Sequence, residues 1–185
     1  MFFIKVNVKY RISKTQMIRK KAIISLKNVT VVRDSVKILS DVSWQVMPSQ
    51  SSAIIGPNGA GKSALIAVIS GYLWPQDGSV SVLGKTYGEV DLQTVRGKIG
   101  LIEPSRAPRF DATMLVKEVV ATGLFGTLML PIDRAVTKQQ WKKVDSQISF
   151  FKLQKQKFLP MSALSTGEQT KALIARAMII NPKLL

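Results

Sequence analysis

Apolar and polar residues alternate at several points along this chain, and each alternation predicts a strand. At the start, Ile4, Val6, Val8, Tyr10 and Ile12 are interleaved with Lys5, Asn7, Lys9 and Arg11, a period of two rather than a helical period. AIISLKNVTVV (residues 22–32) and ILSDVSWQV (38–46), in which Val42, Trp44 and Val46 alternate, repeat the pattern with turn residues between them. SSAII (51–55), GSVSVLG (78–84) and KIGLI (98–102) predict three further strands. The period changes at SALIAVISGYL, a helix ending near Gly71. After Pro108 it is mostly helical, through TKQQWKKVDSQISFFKL (137–153) to a closing helix that starts near Thr166. Strands alternating with helices predict an α/β sheet, with a β-rich part before it and a helical insert over about residues 105–165.

The uncharged, largely apolar run VVATGLFGTLMLPI (119–132) is shorter than the ~20 apolar residues of a spanning helix and is broken by Gly123, Gly126 and Pro131. It reads as a buried helix and turn, or as a patch that docks on another protein. With 46% hydrophobic residues, the 185-residue chain can bury one sizeable core. Cysteine and histidine are both absent, which excludes disulfides, thiol chemistry and the usual base near neutral pH. Carboxylates, hydroxyls, lysines, arginines or a bound metal must carry any chemistry. The formal net charge of +16 suits an anionic partner: nucleotide, nucleic acid or a membrane surface. Residues 1–22 form a basic N-terminal extension, holding Lys5, Lys9, Arg11, Lys14, Arg19, Lys20 and Lys21 and no acid. The charge excess is better explained by a generally basic surface or by a mistranslated leader, since Met17 offers a second start, than by a nucleic acid partner.

GPNGAGKS comprises Gly56, Pro57, Asn58, Gly59, Ala60, Gly61, Lys62 and Ser63, and fits G-x-x-x-x-G-K-[ST] between an apolar strand and an apolar helix. Glycines let successive N–H groups face inward, and the helix start adds its positive dipole end. Lys62 is expected to reach the β and γ phosphates of ATP, and the Ser63 hydroxyl to ligate Mg²⁺.

LSTGEQ (164–169) places Ser165 three residues before Glu168, a capping box that starts a helix at Thr166. Gly167 in the first turn costs helix stability but lets backbone N–H groups approach a phosphate. Ser165, Thr166, Gly167 and Glu168 therefore form either an ordinary capped helix start or a second anion site. The latter would complete a nucleotide held by another copy.

GPNGAGKS and LSTGEQ, about a hundred residues apart and followed by TKALIARAMIINPKLL, together resemble the ATP-binding domain of ABC-type transporter ATPases, over roughly residues 23–185. The LS-x-GE signature is similar to that of bacterial import-type members. The resemblance implies a P-loop NTPase (RecA-like) α/β core with an antiparallel β subdomain and an α-helical insert. It also implies ATP and Mg²⁺ as cofactors, and a head-to-tail pair with a second ATP-binding domain, as homo- or heterodimer. Transmembrane permease subunits would dock on the insert, at the cytoplasmic face of the cell membrane. No nucleic acid partner is expected, because soluble members acting on nucleic acid or ribosomes usually carry two such domains and no second P-loop is visible. That soluble class and a non-functional remnant remain the competing readings.

Several positions depart from the family pattern. Ala64 replaces a threonine and removes a contact to the α-phosphate. Ser49 and Gln50 replace a Gly-Glu turn. No aromatic for stacking on adenine lies near Val32 or Arg33, where Arg33 is the substitute. Glu103 and Pro104 stand where a coupling glutamine is expected. The aspartate that holds Mg²⁺, the glutamate that polarises water and the histidine that senses the γ-phosphate would all follow NPKLL in the family. None lies within residues 1–185, so the sequence reads as incomplete at its C-terminus, with no catalytic residue assigned. Lys183 to Leu185 would open a core strand, and turnover is expected to stay at background because phosphoryl transfer needs metal charge and an oriented water.

Overall fold

A computed structural model of the chain describes residues 2–6, 21–103, 110, 111, 113–133 and 135–185. It divides into two compact units, Met1–Val95 and Arg96–Leu185. The expected strand period beyond Val6 and the position of Pro104 lie outside the described residues.

In the first unit, strands β2 (Ile24–Arg33) and β3 (Val36–Val46) form an antiparallel hairpin. Asp34 and Ser35 turn it with positive φ values of 50° and 64°. Strand β5 (Asp77–Val82) pairs antiparallel with the other edge of β2, and the two-residue β6 (Lys85–Thr86) follows, giving the order β3-β2-β5-β6. Alternation decides which face is covered: Leu26, Val29, Val31, Leu39, Val46, Val80 and Val82 are buried. Helix α1 (Lys62–Ile69) lies against β3 and β5 and buries Leu65, Val68 and Ile69. Strand β4 (Ser51–Ile55), which leads into GPNGAGKS, sits in a separate two-stranded sheet with β1 (Phe2–Val6). They pair antiparallel from Phe2 opposite Ile55 to Val6 opposite Ser51. The helix α2 (Leu92–Arg96) ends this part of the chain.

The second unit is built on helices α3 (Val116–Thr122), α4 (Lys138–Phe150) and α5 (Thr166–Met178). Val116, Val119, Val120, Val144, Ile148, Leu153, Ala172 and Leu173 are among the residues of its core. The run 119–132 is thus buried through α3, while Met129 and Ile132 at its far end are exposed. Thr137 caps α4: its hydroxyl accepts from Gln140 N at 3.2 Å, and Gln140 Oε1 accepts from Thr137 N at 2.8 Å. The T-x-x-Q spelling at that point is a helix start that the sequence displays.

The expected strand at KIGLI does not form. Ile99 makes only an isolated parallel bridge to Leu184, with Gly100 N donating to Leu184 O at 2.8 Å and Lys183 N to Lys98 O at 2.9 Å. A strand is defined by a ladder on a neighbour, and residues 98–102 make a single bridge. No described helix is long and apolar enough to cross a membrane.

Candidate nucleotide site

Residues 56–63 run from the end of β4 through the first two residues of α1, Lys62 and Ser63. Gly59 and Gly61 have φ of 80° and 82°, a region costly to a residue with a Cβ. Gly61 has a second reason: a Cβ there would stand 2.7 Å from Ile38 O and 2.7 Å from Leu39 Cδ2, so the loop closes on β3 only because the side chain is a hydrogen. Lys62 ties the two ends of the loop, its Nζ donating to Gly56 O at 2.8 Å and Pro57 O at 2.7 Å. An ammonium has three donors, so two hold the loop and one remains for an anion. Ser63 is exposed on the first turn of α1, next to half-buried Lys62 and Ala64.

Helix starts differ here in a way that bears on ligands. Thr137 and Ser165 cap α4 and α5, whereas the N-cap of α1 is Gly61, which supplies no side-chain acceptor. The first N–H groups of α1 therefore depend on backbone, water or an anion. Among the described residues no group of three or more His, Cys, Asp or Glu could hold a metal. Ser63 alone fits Mg²⁺ only as one ligand beside nucleotide phosphates, the way this hard cation is commonly bound.

In the second unit, Ser165 is the N-cap of α5 as its spacing predicts. Glu168 Oε2 accepts from Ser165 N at 2.9 Å and from Ser165 Oγ at 2.7 Å, and Ser165 Oγ accepts from Glu168 N at 3.4 Å. Gln156 Nε2 adds a 2.7 Å bond to Glu168 Oε1, and Gln169 Nε2 donates to Leu164 O at 3.1 Å. Ser165, Thr166 and Gly167 are exposed, and a Cβ at Gly167 would have nothing within 4 Å. The carboxyl of Glu168 titrates below the usual glutamate value, mainly through the Ser165 hydroxyl, then through the Ser165 N–H, Gln156 and the charge of Lys171. Arg33, the expected adenine contact, lies at the end of β2, with Nε 3.6 Å from the Asp34 carboxylate.

The sign of the Glu168 shift sets a pH dependence. A depressed carboxyl stabilises the folded state above the unfolded pKa, and that contribution is lost as pH falls through the depressed folded value. Protection factors at residues 165–169, taken relative to the intrinsic exchange rate at each pH, should fall across that acid range in the parent. In Glu168→Gln, which keeps a side-chain acceptor without a titrating proton, the acid step should vanish. Equal acid dependence in both proteins contradicts the assignment.

Arg176 was not legible as a special residue. It is buried on α5, with Nε donating to Thr122 Oγ1 at 2.9 Å and Nη2 to Thr127 O at 2.8 Å. Its guanidinium lies 5.6 Å from the centroid of Phe110.

Residues 39–185 match the ABC transporter family, and the chain belongs to it. It is 31% identical over 163 residues to the uncharacterized ABC transporter ATP-binding protein YmeB of Lactococcus lactis, covering 88% of this chain and 62% of YmeB. Two solved structures are similar. One is a nucleotide-free ATP-binding cassette from an ABC transporter, 26% identical with a TM-score of 0.71. The other is the ADP conformation of MJ1267, an ATP-binding cassette of an ABC transporter, 26% identical with a TM-score of 0.68. Each comparison covers 88% of this chain and 66% of the other. The fold is that of a P-loop ATP-binding cassette, and the chain spans about 62% of the length of YmeB.

Proposed function

We propose that this chain is the ATP-binding subunit of an ABC transporter. It takes Mg-ATP on residues 56–63 and pairs head to tail with a second ATP-binding domain, so that membrane subunits are driven from the cytoplasmic face. One observation carries the reading: the glycine loop, tied end to end by Lys62, delivers its chain into a helix start with no side-chain cap. Phosphate oxygens would complete those N–H groups and take the third Lys62 donor. Mg²⁺, when bound with ATP, would neutralise phosphate charge, and Ser63 would hold it. On the signature side, Glu168 fixes the helix start, while exposed Ser165, Thr166 and Gly167 offer a hydroxyl and backbone donors to a nucleotide presented by the other domain.

Gly167→Val tests the pairing. The site around Gly167 is open, so the valine fits the fold, yet it would obstruct a phosphate brought by a partner. Sedimentation should show ATP-dependent dimerisation weakened by about tenfold or more, with monomer affinity for ATP changed less than about twofold. Unchanged dimerisation, or a loss of monomer affinity as large as that from Lys62→Ala, contradicts the head-to-tail arrangement.

A further inference from the structure

Helix α4 turns its cations outward. Val144 and Ile148 are buried, and at about 100° per residue Lys142 and Lys143 stand on the other side of the helix, with Ser146 and Phe150. Lys138, Lys142 and Lys143 are exposed on α4, and Lys152 and Lys155 are exposed just beyond its end. Asp145 is the sole acid in residues 137–157, and its Oδ1 is held by Lys157 Nζ at 2.6 Å. The remaining charge of this face is uncompensated by acids of its own segment.

Aromatic rings project among these lysines. Phe150 is 78% exposed and Phe158 is 64% exposed. Lys117 Nζ lies 4.9 Å from the Phe158 ring centroid and 5.4 Å from that of Trp141, and Lys157 Nζ lies 5.0 Å from Phe158. Trp141 and Asp145 are one turn apart on α4, so the Phe158 cluster borders one side of the lysine face, while Phe150 stands within it between Lys142 and Lys143.

We infer that this α4 face rests on an anionic lipid surface, with Lys138, Lys142 and Lys143 over the headgroups and the Phe150 ring in the interface. Charge complementarity selects an anionic partner, and the exposed rings select a lipid one. An aromatic ring beside ammonium groups gains burial at a bilayer boundary while the long lysine stems keep their charges at headgroup level. Nucleic acid is the less suited polyanion, because residues 137–157 contain no arginine and so no planar fork for bidentate phosphate or base contacts. The face is independent of residues 56–63, so it can fail or hold whatever becomes of nucleotide binding.

Vesicle flotation of the whole chain tests it, using phosphatidylglycerol–phosphatidylcholine vesicles against phosphatidylcholine alone, at low salt and at roughly 0.5 M salt. Binding should require the anionic lipid and fade at high salt. K142Q/K143Q should weaken it by about thirtyfold, and Phe150→Ser by about tenfold with the salt dependence kept. K27Q/K37Q removes the same charge from exposed positions of the other unit and should cost much less. All these positions are exposed, and matched thermal unfolding checks that each variant is folded. The proposal is overturned by equal losses in the two double variants. Binding indifferent to Phe150, or an oligonucleotide duplex that binds more tightly than anionic vesicles and depends on Lys142 and Lys143, overturns it too.

Discussion

Replacing Lys62 by alanine should lower affinity for Mg-ATP by roughly ten- to a hundredfold and leave the fold in place. Gly59 and Gly61 and the packing of Leu65 and Val68 keep the surrounding fold, while the tie that Lys62 makes across the loop is lost with the side chain. The substitution removes a charge-assisted donor to phosphate, worth about 1.5 to 3 kcal/mol. Some of that loss is offset, because Lys62 in the parent also serves Gly56 O and Pro57 O, at 2.8 and 2.7 Å. In the variant these carbonyls turn to water at little cost, since Pro57 is exposed and Gly56 half-buried. Calorimetric titration of both proteins measures the difference, and equal affinities would remove residues 56–63 from the nucleotide site.

The second large effect concerns Gly123, where conformation and space give opposite expectations. Its φ of −59° and ψ of −32° suit any residue, and by helix propensity alone alanine would stabilise the end of α3. A Cβ there, however, would overlap the carbonyl oxygen of Arg176 and stand 2.8 Å from Ile179 Cγ2. The obstructing atom is backbone of α5 and cannot swing away. Pushing α3 from α5 would also lengthen the bonds from Arg176 to Thr122 and Thr127. Gly123→Ala should therefore destabilise the protein by about 3 kcal/mol, a fall of roughly 6 to 12 °C in Tm. Gly126→Ala is the matched comparison: φ is 68° with open space around it, so only about 1 kcal/mol of left-handed strain is expected. If the two variants melt alike, α3 and α5 do not approach as described.

What the sequence displays and what it hides divide by range. The glycine loop and the Ser165–Glu168 box are local devices, in which a turn angle or a bond over three residues is spelled by adjacent letters. Both are present in the structure with the geometry their spacing implies. The strands β2, β3 and β5 were legible because alternation records a half-buried surface wherever that surface comes from, and β4 because SSAII is a short apolar run beside turn residues. KIGLI misled because an apolar run records burial and not the neighbour a strand requires, and its pairing with residues 183–184 stops at one bridge. Arg176 was invisible for the same reason. Its partner Thr122 is 54 residues away, and an arginine in a helix ordinarily reads as a solvated charge. The lysines of α4 were counted in the net charge but not placed, because only the packing of Val144 and Ile148 shows which way they face.

The central claim, that residues 56–63 hold the phosphates of ATP, is tested most directly by amide NMR during titration of the labelled chain with Mg-ATP and, separately, with AMP. The N–H groups of Gly59, Gly61, Lys62 and Ser63 should move together and saturate with one dissociation constant for Mg-ATP. AMP, which lacks the β and γ phosphates, should leave them nearly in place. Saturation with ATP that leaves these four amides unmoved, or equal shifts with AMP, would contradict the account.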